Sequence, residues 1–75
     1  MKYETFRQAV IDRIKELAYD QKLSINQLCK ISHVSSSAIN KFFNDPRTSV
    51  TINTIEKLCY GLKISVSDFF NDPRF

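Results

Sequence analysis

The amino-acid sequence predicts an all-α fold of five short helices. Apolar residues recur at three- and four-residue spacing in five separate segments. Each of the last four segments follows a serine or threonine suited to cap a helix: Ser24, Ser35, Thr51 and Ser65. No segment alternates apolar and polar residues as a half-buried strand would.

The first helix runs from about Glu4 to Gln21, with Phe6, Val10, Ile14, Leu17 and Ala18 on its inner face. Arg7, Asp12, Arg13, Lys15 and Glu16 read as its solvated outer face. Leu23 closes the turn into the second helix. Ser24 caps that helix and forms a capping box with Gln27, and Leu28 and Cys29 supply its apolar face. The pattern breaks at Ser32-His33-Val34, and Ser35 opens a third helix that carries Ile39 and Phe42 inward. Asn44-Asp45-Pro46 ends it: asparagine tolerates the left-handed conformation, and the residue before proline is driven out of the helical region.

A polar loop, Arg47 to Val50, leads to Thr51 and a fourth helix marked by Ile52, Ile55, Leu58, Cys59 and Leu62. Gly61 lies inside it at a cost of about 1 kcal/mol relative to alanine, so a close helix–helix contact is expected there. Ser65 with Asp68 reads as a second capping box, opening a fifth helix that buries Phe69 and Phe70. The tail NDPRF, 71–75, is expected to leave the core, which spans about 4–70. The hexapeptide FFNDPR occurs twice, at 42–47 and 69–74, each time at a helix end, and reads as shared stop chemistry.

Length and composition bound the function. A chain of 75 residues is one small domain, 1–75, that buries roughly 60% of its unfolded surface. MKYETFRQ lacks the continuous apolar run of a signal peptide or membrane span. Two cysteines, at 29 and 59, make no disulfide framework, so a reduced, cytoplasmic protein is expected. The net charge is +3, and its placement is more telling. Residues 21–44 contain Lys22, Lys30 and Lys41 and no acid, as suits a surface that meets phosphates. On the third helix Ser36, Ser37, Asn40 and Lys41 fall opposite Ile39 and Phe42 at 100° per residue. A short amphipathic helix with small hydrogen-bonding side chains fits a DNA major groove.

From about Val10 to Phe70 the chain resembles the Cro/CI-type (XRE, phage-repressor-like) helix-turn-helix family. The matching stretches are RIKEL at 13–17, LSINQL at 23–28, VSSSAI at 34–39, TINTIEKL at 51–58 and ISVSDFF at 64–70. The resemblance implies a compact five-helix lambda-repressor-like DNA-binding fold with the helix-turn-helix at 24–43. It implies a transcriptional regulator, commonly a dimeric repressor, that reads a double-stranded operator with its third helix in the major groove. By position, Ser36, Ser37 and Asn40 are the base readers, and Lys41 meets a base or phosphate. Ser24, Asn26, Gln27 and Ser35, with Asn44, Arg47 and Thr48 beyond the third helix, take the DNA backbone. The sequence departs from the family at His33 and Lys63, where glycine is favoured and a left-handed backbone is required. Ile25 replaces a polar phosphate-binding side chain.

Other chemistries are weaker readings. Cys29, His33 and Cys59 are three ligands without a paired C-x2-C, a poor zinc signal, and both cysteines fall at core positions, so no metal or other cofactor is expected. His33 beside Ser35–Ser37 lacks the orienting acid and formed cavity that nucleophilic catalysis needs, so no enzyme is expected. Tyr60 and Phe75 fit the core least well. They are either singly exposed aromatics or part of a homodimer interface at the C-terminal region. The alternative function is a protein-interaction module, antitoxin-like or an anti-repressor partner, to which an exposed Ile25 would also contribute.

Overall fold

A computed structural model describes the backbone from residue 3 to residue 75 and the side chains from residue 6 onward, so Met1 and Lys2 of the expected 1–75 unit lie outside the described residues. The helices are α1 (Tyr3–Asp20), α2 (Ile25–Ser32), α3 (Ser36–Asn44), α4 (Ile52–Leu62) and α5 (Val66–Phe70). Each lies within a residue or so of its expected bounds, and no strand occurs among the described residues.

One junction is used three times. Lys22-Leu23-Ser24, His33-Val34-Ser35 and Lys63-Ile64-Ser65 each place a left-handed residue first, at φ 59°, 57° and 61°. Leu23, Val34 and Ile64 then return their N–H groups to Ala18, Cys29 and Cys59 at 2.8, 3.0 and 3.0 Å, satisfying carbonyls that the helix end leaves unpaired. The serine that follows caps the next helix: Ser24 Oγ accepts from Gln27 N at 3.1 Å, Ser35 Oγ from Ala38 N at 3.3 Å and Ser65 Oγ from Asp68 N at 3.0 Å. Thr51 does the same for Thr54 N at 3.1 Å. The apolar residue before each cap and the residue four after it stand at hydrophobic-staple positions, and all join the core: Leu23 with Leu28, Val34 with Ile39, Val50 with Ile55, Ile64 with Phe69.

The capping box at Ser24 is complete, with Gln27 Oε1 accepting from Ser24 N at 2.8 Å. That at Ser65 is only half formed, because Asp68 is one methylene shorter than glutamate and makes no return bond. The end of α3 also differs from expectation. Asn44 stays helical, and Asp45 is extended at φ −116°, ψ 107°. Proline at 46 therefore ends this helix without a left-handed asparagine.

The core comprises Val10, Ile11, Ile14, Leu28, Ile39, Leu58 and Phe69 with their neighbours. Phe6 and Ile52, expected inward, are 40% and 62% exposed, while Ile11, absent from the expected stripe, is buried. Gly61 lies where α4 crosses α2, and a Cβ there would fall on Ser32 Oγ, which has no hydrogen-bond partner among the described residues. The close approach expected from the glycine is thus present.

The solvated face assigned to α1 needs the largest correction. Arg7 donates to the carbonyl oxygens of Phe42, Asp45 and Thr48, holding the end of α3, and lies 4.9 Å from the Phe42 ring centroid. Arg13 donates to Phe69 and Asp68 carbonyls, both at 2.9 Å, and pairs with Glu16 and Asp72. The two copies of FFNDPR are thus each gripped through their first phenylalanine carbonyl by an α1 arginine. The tail does not leave the core. Phe75 packs against Phe6, Phe69 and Phe70, with ring centroids 5.8, 6.3 and 5.0 Å away. Arg74 Nη2 reaches Glu16 Oε2 at 2.7 Å, and Arg74 followed by Arg13 holds the Glu16 carboxyl below its ordinary value. Truncating Phe75 to alanine is expected to destabilise the protein by about 1–2 kcal/mol, less than a fully buried phenylalanine because the ring is only half-buried. Urea unfolding reads this, and an unchanged midpoint would mean the tail adds nothing.

Candidate nucleic-acid interface

The helix-turn-helix is built by the cap grammar just described. Ser24 starts α2, His33 turns the chain in the left-handed conformation at φ 57°, ψ 41°, and Ser35 starts α3. Ile39 and Phe42 fix the inner side of α3. At 100° per residue, Ser36, Asn40, Asn44, Ser37 and Lys41 fall within an arc of about 140° centred opposite those two. Ser37, Asn40, Lys41 and Asn44 are exposed, whereas Ser36, at the edge of the arc next to half-buried Phe43, is itself half-buried. Neither α2 nor α3 contains an acid.

Capping determines which hydrogen-bonding groups remain outward. At Ser24, Gln27 and Ser35 the side-chain oxygens accept backbone N–H groups, so the groups left over are donors: two hydroxyl hydrogens and the Gln27 amide NH2. Asn26 is exposed beside them, at the positive end of the α2 dipole. Donors around a helix N-terminus are what a phosphate oxygen requires.

Beyond α3 the expected residues are partly engaged. Asn44 Nδ2 donates to Asn40 O at 2.8 Å, leaving its carbonyl oxygen outward. Thr48 Oγ1 lies 2.8 Å from Asp45 O and 3.3 Å from Lys41 O, so its single hydroxyl hydrogen caps α3 instead of facing solvent. Arg47 is exposed but folds onto Asp45, with Nε 3.1 Å from Oδ1 and Nη2 3.2 Å from Oδ2. Its guanidinium holds the Asp45 carboxyl below the usual carboxylate range.

Several residues here were not anticipated. A shallow groove of about 230 Å3 runs from the helix-turn-helix to the start of α4, where His33, Thr51, Thr54 and Lys57 join the expected Ser35. Arg7 braces the end of α3 from α1, through the carbonyls of Phe42, Asp45 and Thr48. A signal for it existed: Arg7 precedes Val10, Ile11 and Ile14 by three, four and seven residues, so it stands on the buried stripe of α1.

The remaining candidates lie elsewhere. Cys29 and Cys59 sit in the core, and burial pushes both thiols up. Ile25 is half-buried against the core and so is not the exposed apolar residue expected. Tyr60 is exposed at 76%, beside Ile31 at 45%, whereas Phe75 is half-buried in the chain's own aromatic cluster. No helix among the described residues is long and apolar enough to cross a membrane.

Comparisons with known proteins agree with this geometry. The chain is similar to the crystal structure of the prophage Lp1 protein 11, with a TM-score of 0.83 and 36% sequence identity over 97% of this chain and 93% of that one. No curated protein matches it. Residues 13–73, from the middle of α1 to the tail, match the family described as the Cro/C1-type HTH DNA-binding domain. With its two-helix unit, its acid-free exposed face and this match, the chain belongs to the Cro/C1-type helix-turn-helix DNA-binding family, whose members are transcription regulators.

Proposed function

We propose that this protein is a sequence-specific, operator-binding regulator of the repressor type, working in the cytoplasm as one small domain, with α3 in the major groove. The observation that carries the reading is the exposed, acid-free arc of α3, where Ser37, Asn40 and Lys41 stand clear of the core. Asn40 pairs in a bidentate manner with adenine, Ser37 and the less accessible Ser36 offer single bonds, and Lys41 takes a base or phosphate. The donors at Ser24, Asn26, Gln27 and Ser35 fix the protein on one stretch of backbone, and Asn44 and Arg47 on another. Thr48 supports the end of α3. With so few discriminating groups, deformability of the site adds to specificity.

The test is selection from a pool of random duplexes at about 0.1 M salt, the range in which backbone attraction is already partly screened. Enrichment of one motif is expected, and Asn40→Ala should relax preference at one position by about 1–3 kcal/mol. If that variant kept the parent's preference at every position, the assigned face would be wrong.

A second reading has its own observation: Ile31 and Tyr60 make a small exposed apolar surface beside Gly61 and Lys63. It suits a protein contact, either a second copy, which would place two half-sites about 34 Å apart, or a different partner. A palindromic selected motif supports the second copy. Failure to retain any duplex, even at low salt, would favour the protein-interaction reading over the DNA one.

A further inference from the structure

The repeated FFNDPR segment assigns a role to Asp45. In both copies the aspartate Oδ1 accepts the backbone N–H of the arginine two residues later, at 3.0 Å in each. In both, that arginine folds its guanidinium onto the same carboxylate, with Nε–Oδ1 distances of 3.1 Å at Arg47 and 2.8 Å at Arg74. The copies differ at Nη2, which in Arg47 stays on Asp45 Oδ2 at 3.2 Å. Arg74 Nη2 also donates to Glu16 Oε2, so a clasped guanidinium holds a second oxyanion. Arg47 meets no second carboxylate among the described residues, and its side chain is 89% exposed. The Asp45 backbone is pinned, its carbonyl oxygen accepting from Arg7 Nη2 at 3.0 Å and Thr48 Oγ1 at 2.8 Å, and its carboxylate is anchored by the Arg47 N–H on Oδ1 at 3.0 Å.

We propose that Asp45 is a counter-charge built into the DNA-binding face, holding Arg47 ready for a backbone phosphate oxygen while cancelling most of that arginine's long-range attraction to DNA. The proposal rests on the DNA-binding reading above. The phosphate oxygen plays the part of Glu16, but at the donors the clasp leaves: Nη1 and the second Nη2 hydrogen. Arginine has five N–H donors and the clasp uses two, so donors remain for it. Because the clasped pair carries no net charge, its approach to the duplex releases fewer counterions than a free arginine would. Arg47 then reports where the phosphate lies without adding to indiscriminate adhesion.

Asp45→Asn keeps the shape and the Oδ1 acceptor and removes only the charge. It is expected to bind the selected duplex about 3–10-fold more tightly at 0.1 M salt, with a log–log salt slope steeper by up to ~0.9. Asp45→Ser, which also keeps an oxygen acceptor, should change affinity in the same direction, and the urea midpoint of each variant checks that it is folded. Asp12→Asn, an equal charge change at an exposed α1 position that the DNA-binding reading does not use, should alter affinity less than twofold. Unchanged or weaker binding by folded Asp45→Asn, or an equal gain from Asp12→Asn, would overturn the proposal. Absence of binding by the parent at low salt would overturn the DNA reading beneath it, a separate result.

Discussion

Replacing Gly61 with alanine is expected to destabilise the protein, although the same change in an exposed helix stabilises by about 1 kcal/mol through helix propensity. The added Cβ falls on Ser32 Oγ and comes within 3.1 Å of Ser32 Cβ and 3.3 Å of Ile31 Cγ1. Buried Ser32 and the neighbouring turn of α2 must shift, or α4 must move off the helix it packs against. Overpacking of this kind costs about 1–3 kcal/mol. A domain this size has roughly 4–11 kcal/mol of stability in all, so a fall of several degrees in Tm should be visible by circular dichroism. Ser32→Ala supplies the internal check. Its hydroxyl has no partner among the described residues, so removing it alone should be neutral or stabilising, and in the double variant it should recover part of the loss. If Gly61→Ala melted at or above the parent's temperature, the close approach of α2 and α4 would be wrong.

Arg7→Ala is expected to lower both stability and DNA affinity, although Arg7 is on α1 and remote in sequence from the recognition helix. Its guanidinium serves the carbonyls of Phe42, Asp45 and Thr48 and lies over the Phe42 ring. Hydrogen bonds from a charged donor contribute about 1.5–3 kcal/mol. Although Asp45 O keeps Thr48 N and Oγ1, Phe42 O would lose its Arg7 donor where residue 46, a proline, offers no N–H. We expect a loss of about 2 kcal/mol in urea unfolding. Faster hydrogen exchange should appear at the amides of Asp45 and Thr48, which close the end of α3 on Lys41 O and Asp45 O. Affinity for the selected duplex should fall about tenfold, because Asn40, Lys41 and Arg47 are placed by that helix end. Arg7→Lys keeps the charge but not the planar fork, so it should recover only part of either loss. Unaltered exchange at Asp45 and Thr48 in Arg7→Ala would show that Arg7 does not hold the interface.

The elements were legible in the residue order because their signals are local. Ser24, Ser35, Thr51 and Ser65 cap the helices that follow them, since a hydroxyl three residues ahead of an unpaired N–H needs nothing distant to form its bond. His33 and Lys63 adopt the left-handed turns for the same reason, although Lys22, at φ 59°, was not foreseen. The outward arc of α3 follows from Ile39 and Phe42 alone. Gly61 announced a close contact but not its partner, Ser32.

What only the tertiary structure decided is where the long arginines end. Arg7 and Arg13 read as solvated because charge and position on one helix say nothing of which carbonyls another helix end leaves unpaired. Arg7 reaches oxygens 35 to 41 residues away, and Arg13 reaches those 55 and 56 away. The tail was misplaced on the same ground: Phe75 finds an aromatic cluster assembled from both ends of the chain. Local hydrogen bonds therefore wrote the helices and the candidate reading face into the sequence. The brace on the end of α3, and the second oxyanion that separates Arg74 from Arg47, depend on side chains that meet only after the helices have packed.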